Sequence, residues 1–109
     1  MQKAIEIAKY RLISERNNIM NKKLSDEVLI RNKRIKNRIC IPPMVIFGYS
    51  DDEGFVVEKN IAHYRTLAEG GAGLIIQEAT CVTKDGKLGN TQLGIWSDLQ
   101  IEGHKKIKG

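Results

Sequence analysis

The feature that most constrains the fold of this chain is a pair of adjacent prolines, Pro42 and Pro43, which directly follow the apolar residues 39–41. A run of β-branched and small apolar residues without alternation predicts a strand buried on both faces, as in a parallel sheet. Proline has no amide hydrogen to donate to a strand ladder, so the strand must end near Pro42 and residues 44–47 must continue as an ordered loop. The sequence therefore predicts a binding site where this strand ends.

Length and composition exclude several classes of protein. The chain has 109 residues, of which 41% are hydrophobic and 28% charged, and these values indicate a small globular protein. No apolar run approaches the roughly 18 residues that cross a bilayer, and the charged start is not a signal peptide, so we expect a soluble, cytoplasmic protein without a membrane partner. Cys40 and Cys81 lie in apolar segments without CxxC spacing. They are expected to be reduced core residues, and no metal site is predicted.

The positive charge of the chain is concentrated in its first third. Residues 1–38 contain 11 Lys and Arg against 4 Asp and Glu, whereas residues 39–109 contain 7 against 9. A basic segment can contact nucleic acid or anionic lipid, but this one lacks interleaved aromatic residues and any known reading motif. A solvated face is the simpler interpretation, and nucleic acid is not an expected partner.

The beginning of the chain has apolar residues at helical spacing, among them Ile5, Ala8 and Leu12. This spacing predicts an amphipathic helix with a narrow apolar stripe, and a cluster of asparagines weakens the pattern towards its end. We therefore predict a basic helical extension over residues 1–23 and a separate domain over residues 24–109.

The middle of the chain predicts a βαβ unit. Loosely alternating residues 24–38 predict a short hairpin that precedes the first strand. Asn60 is expected to cap a helix that stops at Gly70 and Gly71, and residues 73–79 predict a second buried strand. A crossover of this length allows parallel pairing, which brings the carboxyl ends of both strands to one edge.

Polar residues near this edge each allow a structural and a functional interpretation. Glu78 in the second strand is either a carboxylate paired with a basic residue, which we favour, or a general acid–base group. His63 has no second ligand in its helix and is expected to be structural or exposed. The aspartates of the loop at residues 48–54 lack the other ligands of an EF-hand and predict a solvated turn rather than a calcium site. Glycines 70, 71 and 73 precede a strand, so they are not a dinucleotide fingerprint.

A second helix is predicted near the end of the chain. Ser97 and Gln100 have the spacing of a capping box, and Trp96 and Ile101 occupy the positions of a hydrophobic staple. We expect Trp96 to pack at this helix start rather than to stack on a ligand.

With these elements placed, three ordered blocks resemble the N-terminal part of the old yellow enzyme family, which comprises FMN-dependent NAD(P)H:flavin oxidoreductases. The blocks are KNRICIPPM at 36–44, IAHYRTLAEGGAGLIIQEATCV at 61–82 and LGIWSDLQIEGHKKI at 93–107. The resemblance implies an α/β fold in which the chain holds the hairpin and the first two βα units of a TIM (β/α)8 barrel. We therefore expect this chain to be an N-terminal fragment of such an enzyme.

The resemblance also implies FMN as the cofactor, NAD(P)H as the electron donor and a small-molecule substrate. Five positions match those that line the isoalloxazine ring in relatives: Pro42, Pro43, Met44, Val45 and Ala79. Many relatives have cysteine or threonine at Val45, with a side chain that reaches a flavin oxygen, and valine cannot donate that hydrogen bond. At Phe47 some relatives have a tyrosine that contacts substrate.

The chain departs from the family in two respects. Ser25, Glu27 and Arg31 stand where phenylalanine, proline and glycine are usual. The catalytic residues of the family have no counterpart in these 109 residues, so the chain alone is expected to be inactive.

Two unpaired buried-type strands predict association with a second copy or with the remainder of a barrel. The alternative hypothesis is a small basic interaction protein that uses the N-terminal helix and retains a relic barrel segment.

Overall fold

The computed structural model describes residues 1–9 and 21–108 of the chain. The chain divides into two compact units, Met1–Arg38 and Ile39–Gly109, and its architecture is α/β. None of the helices within the described residues is both long and apolar enough to cross a membrane.

The first unit contains a helix and a two-stranded hairpin. Helix α1 covers residues 2–9, and the part of the predicted amphipathic helix at residues 10–20 lies outside the described residues. Strands β1 (Val28–Ile30) and β2 (Lys33–Ile35) pair in antiparallel orientation. Arg31 begins the two-residue turn with a φ of 53°. A residue with a Cβ is strained in this left-handed conformation, so glycine fits the position better than arginine does.

The second unit is built on a parallel pair of strands. Strand β3 (Cys40–Ile41) pairs with β4 (Leu74–Ile75), and helix α2 (Glu58–Glu69) lies between them in the chain. Both strands are shorter than predicted. The amide of Ile76 donates to the carbonyl of Ile41 at 3.0 Å, and the next position that faces β4 is Pro43, which has no amide to continue the ladder.

Helix α2 begins three residues earlier than predicted, so the assignment of Asn60 as the cap was wrong. Val57 is the N-cap, and its amide donates to Oδ1 of Asn60 at 3.0 Å. Asn60 thus acts from the third helical position, as the acidic residue of a capping box does, because its side chain reaches back over one turn. The helix stops at the predicted glycines: Gly70 follows its last residue, and Gly71 has a φ of 94°.

The prediction that β3 is buried on both faces was wrong. Ile39 is 44% exposed and Cys40 is also exposed, whereas Cys81 is 7% exposed, so only one of the two predicted core cysteines lies in the core. Both thiols are free. The physical reason is that β3 has one paired neighbour, β4, within the described part of the chain. A strand of a parallel sheet is covered only when further strands and helices pack against it.

A third parallel segment, which the sequence analysis missed, pairs with the chain beyond β4. Cys81 forms a parallel bridge with Gly94: the amide of Cys81 donates to the carbonyl of Leu93 at 2.9 Å, and the amide of Ile95 donates to the carbonyl of Cys81 at 2.7 Å. Leu93 is fully buried. Three residues are too few to produce a detectable strand pattern, so only the pairing reveals this segment.

The predicted start of the last helix is confirmed. Oγ of Ser97 accepts from the amide of Leu99 at 3.3 Å, and Oε1 of Gln100 accepts from the amide of Ser97 at 3.1 Å. A short 3₁₀ turn over Asp98–Gln100 leads directly into helix α3 (Ile101–Lys108).

We predict that Gly94→Ala destabilises the second unit by about 1–3 kcal/mol, the usual range for an overpacked core. A Cβ at this position would lie 2.0 Å from Cζ3 of Trp96, so the indole ring must move. The free energy of unfolding from denaturant titration measures the effect. Gly86→Ala is the control, because its nearest contact is the flexible hydroxyl of Thr83 at 3.0 Å. Equal stability of the two variants would contradict the prediction.

Candidate functional site

The segments that follow β3 and β4 meet at one edge of the parallel pair, as the sequence predicted. The loop of residues 42–47 follows β3, and residues 76–80 follow β4. The amide of Ile46 donates to Oε2 of Glu78 at 3.4 Å, which joins the two segments directly. This edge is the candidate functional site.

Glu78 is the buried acidic group of this site, with 3% of its surface exposed. Besides the Ile46 amide, its carboxylate accepts from the hydroxyl of Tyr64 at 3.3 Å. The same hydroxyl accepts from the amide of Glu78 at 2.8 Å. The prediction of a basic partner was therefore wrong, since neutral donors hold the carboxylate.

Burial shifts the ionisation of this pair. Burial raises the pKa of Glu78, and the hydrogen bond from the Ile46 amide opposes this shift most strongly. Burial likewise raises the pKa of Tyr64 to about 12. Perturbed acids in clefts are often catalytic. Here, however, both oxygens of Glu78 already accept hydrogen bonds from the protein, so the arrangement suits holding the backbone better than transferring a proton.

His63 forms aromatic contacts beside this pair. Its ring meets that of Tyr49 edge-on, with 5.5 Å between centroids, and that of Tyr64 in the same way at 5.3 Å. The ammonium of Lys59 lies 4.4 Å from the centroid of the Tyr49 ring. These contacts support the structural interpretation of His63 over a catalytic one.

The predicted flavin and substrate positions lie along this edge with different exposure. Four are exposed: Pro42, Pro43, Met44 and Ala79. Val45 is half-buried, and Phe47 is 54% exposed. The ring of Phe47 packs on Gly89, where a Cβ would lie 2.7 Å from its Cε1. The edge therefore presents apolar side chains and one very small residue.

This arrangement fits a planar aromatic ring system. The two prolines and Met44, which is 57% exposed, offer apolar contact area. Ala79 has no side chain beyond Cβ, so a flat ring can approach its backbone closely. The edge thus has the chemical character needed to contact an isoalloxazine ring. Within residues 1–9 and 21–108, no three His, Cys, Asp or Glu side chains are grouped to hold a metal ion.

Gln92 is a buried polar residue of this site that the sequence analysis missed. It is 2% exposed, its Nε2 donates to the carbonyl of Ala79 at 3.0 Å, and its Oε1 accepts from the amide of Leu88 at 2.7 Å. A glutamine in a loop gives no periodic pattern. Its only sequence signal is a polar residue directly before the apolar segment that begins at Leu93.

A parallel α/β unit with an apolar site at the carboxyl ends of its strands is the arrangement typical of α/β enzymes that bind ligands there. The family model of the NADH:flavin oxidoreductase / NADH oxidase family matches residues 24–109. The chain belongs to this family, whose cofactor is FMN and whose electron donor is NAD(P)H.

Individual relatives agree with this assignment. The NADPH dehydrogenase of Bacillus cytotoxicus is 40% identical over 87 residues, which are 80% of this chain and 25% of that protein. The NADPH dehydrogenase of Listeria monocytogenes is 37% identical, with 80% and 26% covered. The solved old yellow enzyme homologue from Zymomonas mobilis superposes with a TM-score of 0.67 at 32% identity, covering 79% of this chain and 23% of that one. The chain spans about a quarter of the length of these relatives.

We predict that Tyr64 ionises at a higher pH in the native chain than in the unfolded chain. Because its native pKa of about 12 lies above the ordinary 10.0, the unfolded chain loses this proton first as the pH rises. The free energy of unfolding therefore falls between about pH 10 and pH 12.

Phenolate absorbance during an alkaline titration measures this ionisation. Tyr64→Phe should remove an ionisation step near pH 12, and the control Tyr49→Phe should leave that step in place. A step near pH 12 that persists in Tyr64→Phe would contradict the assignment.

Proposed function

We propose that this chain forms the N-terminal part of an FMN-dependent NAD(P)H oxidoreductase of the ene-reductase type, which reduces an activated alkene or a similar acceptor. The observation that carries the proposal is the edge where the loop after β3 meets Ala79. Its exposed apolar face lies at the carboxyl ends of parallel strands, in a segment that matches the family.

The proposed architecture is the start of a TIM barrel. The parallel pair with α2 corresponds to the first βα unit and the second strand, and α3 corresponds to the start of the second helix. The hairpin over residues 24–35 precedes the first strand. The family match begins at residue 24, which supports residues 1–23 as an extension outside the family fold.

The residues of this edge have separate proposed roles. Five contact the isoalloxazine ring: Pro42, Pro43, Met44, Val45 and Ala79. When bound, FMN supplies the hydride-transfer chemistry. Val45 has no donor for a flavin oxygen, so it contributes packing and exclusion of water. Phe47 contacts the substrate through its ring alone, because it has no hydroxyl.

The 109-residue chain by itself is inactive under this proposal, because no residue in it is proposed to orient the substrate or donate a proton. Purified chain mixed with FMN, NADPH and a cyclic enone should reduce the enone no faster than free FMN does. Product analysis under anaerobic conditions measures the rate. Sustained turnover above the free-FMN control would contradict this part of the proposal.

A chimera tests whether the edge binds the flavin. Residues 24–108 of this chain replace the matching segment of the Bacillus cytotoxicus NADPH dehydrogenase, and the chimera should bind FMN. Ala79→Arg in the chimera should weaken FMN binding about tenfold or more, equivalent to about 1.4 kcal/mol, because the long side chain blocks the approach of the ring.

The matched control is Ala62→Arg on the exposed surface of α2, which should leave FMN affinity unchanged. Flavin fluorescence quenching measures the affinities. Equal affinities of the two variants would remove Ala79 from the proposed site.

A further inference from the structure

We propose that Glu78 is a positioning residue, whose buried carboxylate fixes the loop of residues 42–47 against the segment after β4. The apolar edge is then already formed before any ligand contacts it. The role of this preformed edge in flavin binding rests on the proposed function. The contact between the Glu78 carboxylate and the loop, called the clamp below, is a property of the 109-residue chain.

The loop needs such a clamp because its sequence removes the usual means of holding an extended backbone. Pro42 and Pro43 have no amide hydrogen, so the ladder from β4 ends at the carbonyl of Ile41. The far end of the loop is anchored where the amide of Gly48 donates to Oγ1 of Thr91 at 2.6 Å. Between these points, the Ile46 amide reaches Oε2 of Glu78.

The carboxylate is itself held in one orientation. The hydroxyl of Tyr64, a residue only 6% exposed, donates to Oε1 and also accepts from the amide of Glu78. This two-point contact fixes the side chain so that Oε2 faces the loop. An ionised acceptor forms a stronger hydrogen bond with a backbone amide than a neutral one does, and burial excludes competing water.

Within the described residues, the polar groups that influence this carboxylate come from α2 and from the loop. The helix contributes the titratable residues His63 and Tyr64 and the neutral amide of Asn60, and the loop contributes the Ile46 amide. Burial favours the protonated form of Glu78, whereas the hydrogen bond from the Ile46 amide favours the ionised form. Protonation of Glu78 should therefore change the hydrogen bond that its carboxylate accepts from the Ile46 amide.

The first test compares amide hydrogen exchange by NMR in the 109-residue chain and its Glu78→Gln variant. Glutamine keeps the shape of the side chain but has no charge and replaces one carboxylate oxygen with an NH2 group, so any bond that it accepts from the Ile46 amide is no longer charge-assisted. We expect exchange at Ile46 to become about tenfold faster or more, while amides inside α2 change by about twofold or less.

The control is Gln100→Leu, which removes an equally buried polar side chain that bonds the carbonyl of Glu53 and the amide of Ser97. It should leave the ratio of Ile46 exchange to α2 exchange unchanged. Uniform acceleration across the second unit in Glu78→Gln would show a merely structural role and overturn the proposal. Unchanged exchange at Ile46 would also overturn it.

A second measurement needs no variant, which protects the test if Glu78→Gln fails to fold. In the native chain, the chemical shift of the Ile46 amide should titrate together with the Glu78 carboxyl carbon, with a common midpoint above 4.5. An Ile46 amide that stays constant while the carboxyl titrates would overturn the proposal.

The two proposals fail separately. Flavin binding by the chimera and its loss in Ala79→Arg report on the proposed function. Exchange and titration at Ile46 report on Glu78 in the absence of flavin. A chimera that binds no FMN, alongside a responsive Ile46 amide, would remove the proposed function and leave the clamp intact.

Discussion

The structure of the second unit depends on the point where hydrogen bonding between β3 and β4 must stop. The carbonyl of Ile41 accepts the last ladder bond, and the next bond to β4 would need an amide at position 43, where Pro43 has none. The chain therefore leaves the sheet after Ile41, and β4 continues without a ladder partner on that side. Because parallel strands end at the same edge, both freed segments lie side by side. The candidate site is the direct result of this missing donor.

Beyond that point, buried polar side chains replace the strand ladder. Glu78 accepts from the Ile46 amide, and Gln92 donates to the carbonyl of Ala79. Gln100 similarly donates to the carbonyl of Glu53, in the loop that precedes α2. Each of these three side chains is at most 3% exposed. Irregular backbone near a buried edge still needs hydrogen-bond partners, and long polar side chains can reach them where no neighbouring strand can.

Apolar side chains on and beside the parallel pair of strands are exposed. Ile39, Met44 and Ile76 are each more than 40% exposed, although their segments have the composition of buried strands. The chain spans about a quarter of its relatives, and strands of parallel sheets normally pack against neighbours on both sides. The composition of the β3 region therefore suits a larger sheet than the two strands paired here.

The amino-acid sequence by itself determined the features that depend on local chemistry. The stop at Pro42, the capping box of Ser97 and Gln100 and the end of α2 at its glycines follow from missing donors, side-chain acceptors and backbone freedom within a few residues. The parallel pairing was also predictable, because the helix between the two apolar runs makes the connection long enough for a parallel crossover. The family resemblance in the sequence indicated which residues of the edge to consider as flavin contacts.

Only the tertiary structure decided which distant groups meet. It replaced the expected basic partner of Glu78 with Tyr64 and the Ile46 amide, exposed Cys40 instead of burying it, and paired Cys81 with Gly94. No sequence pattern encodes these contacts, since each joins residues whose separation along the chain has no fixed geometry. Their strength depends on burial, and burial is a property of the folded chain rather than of any single residue.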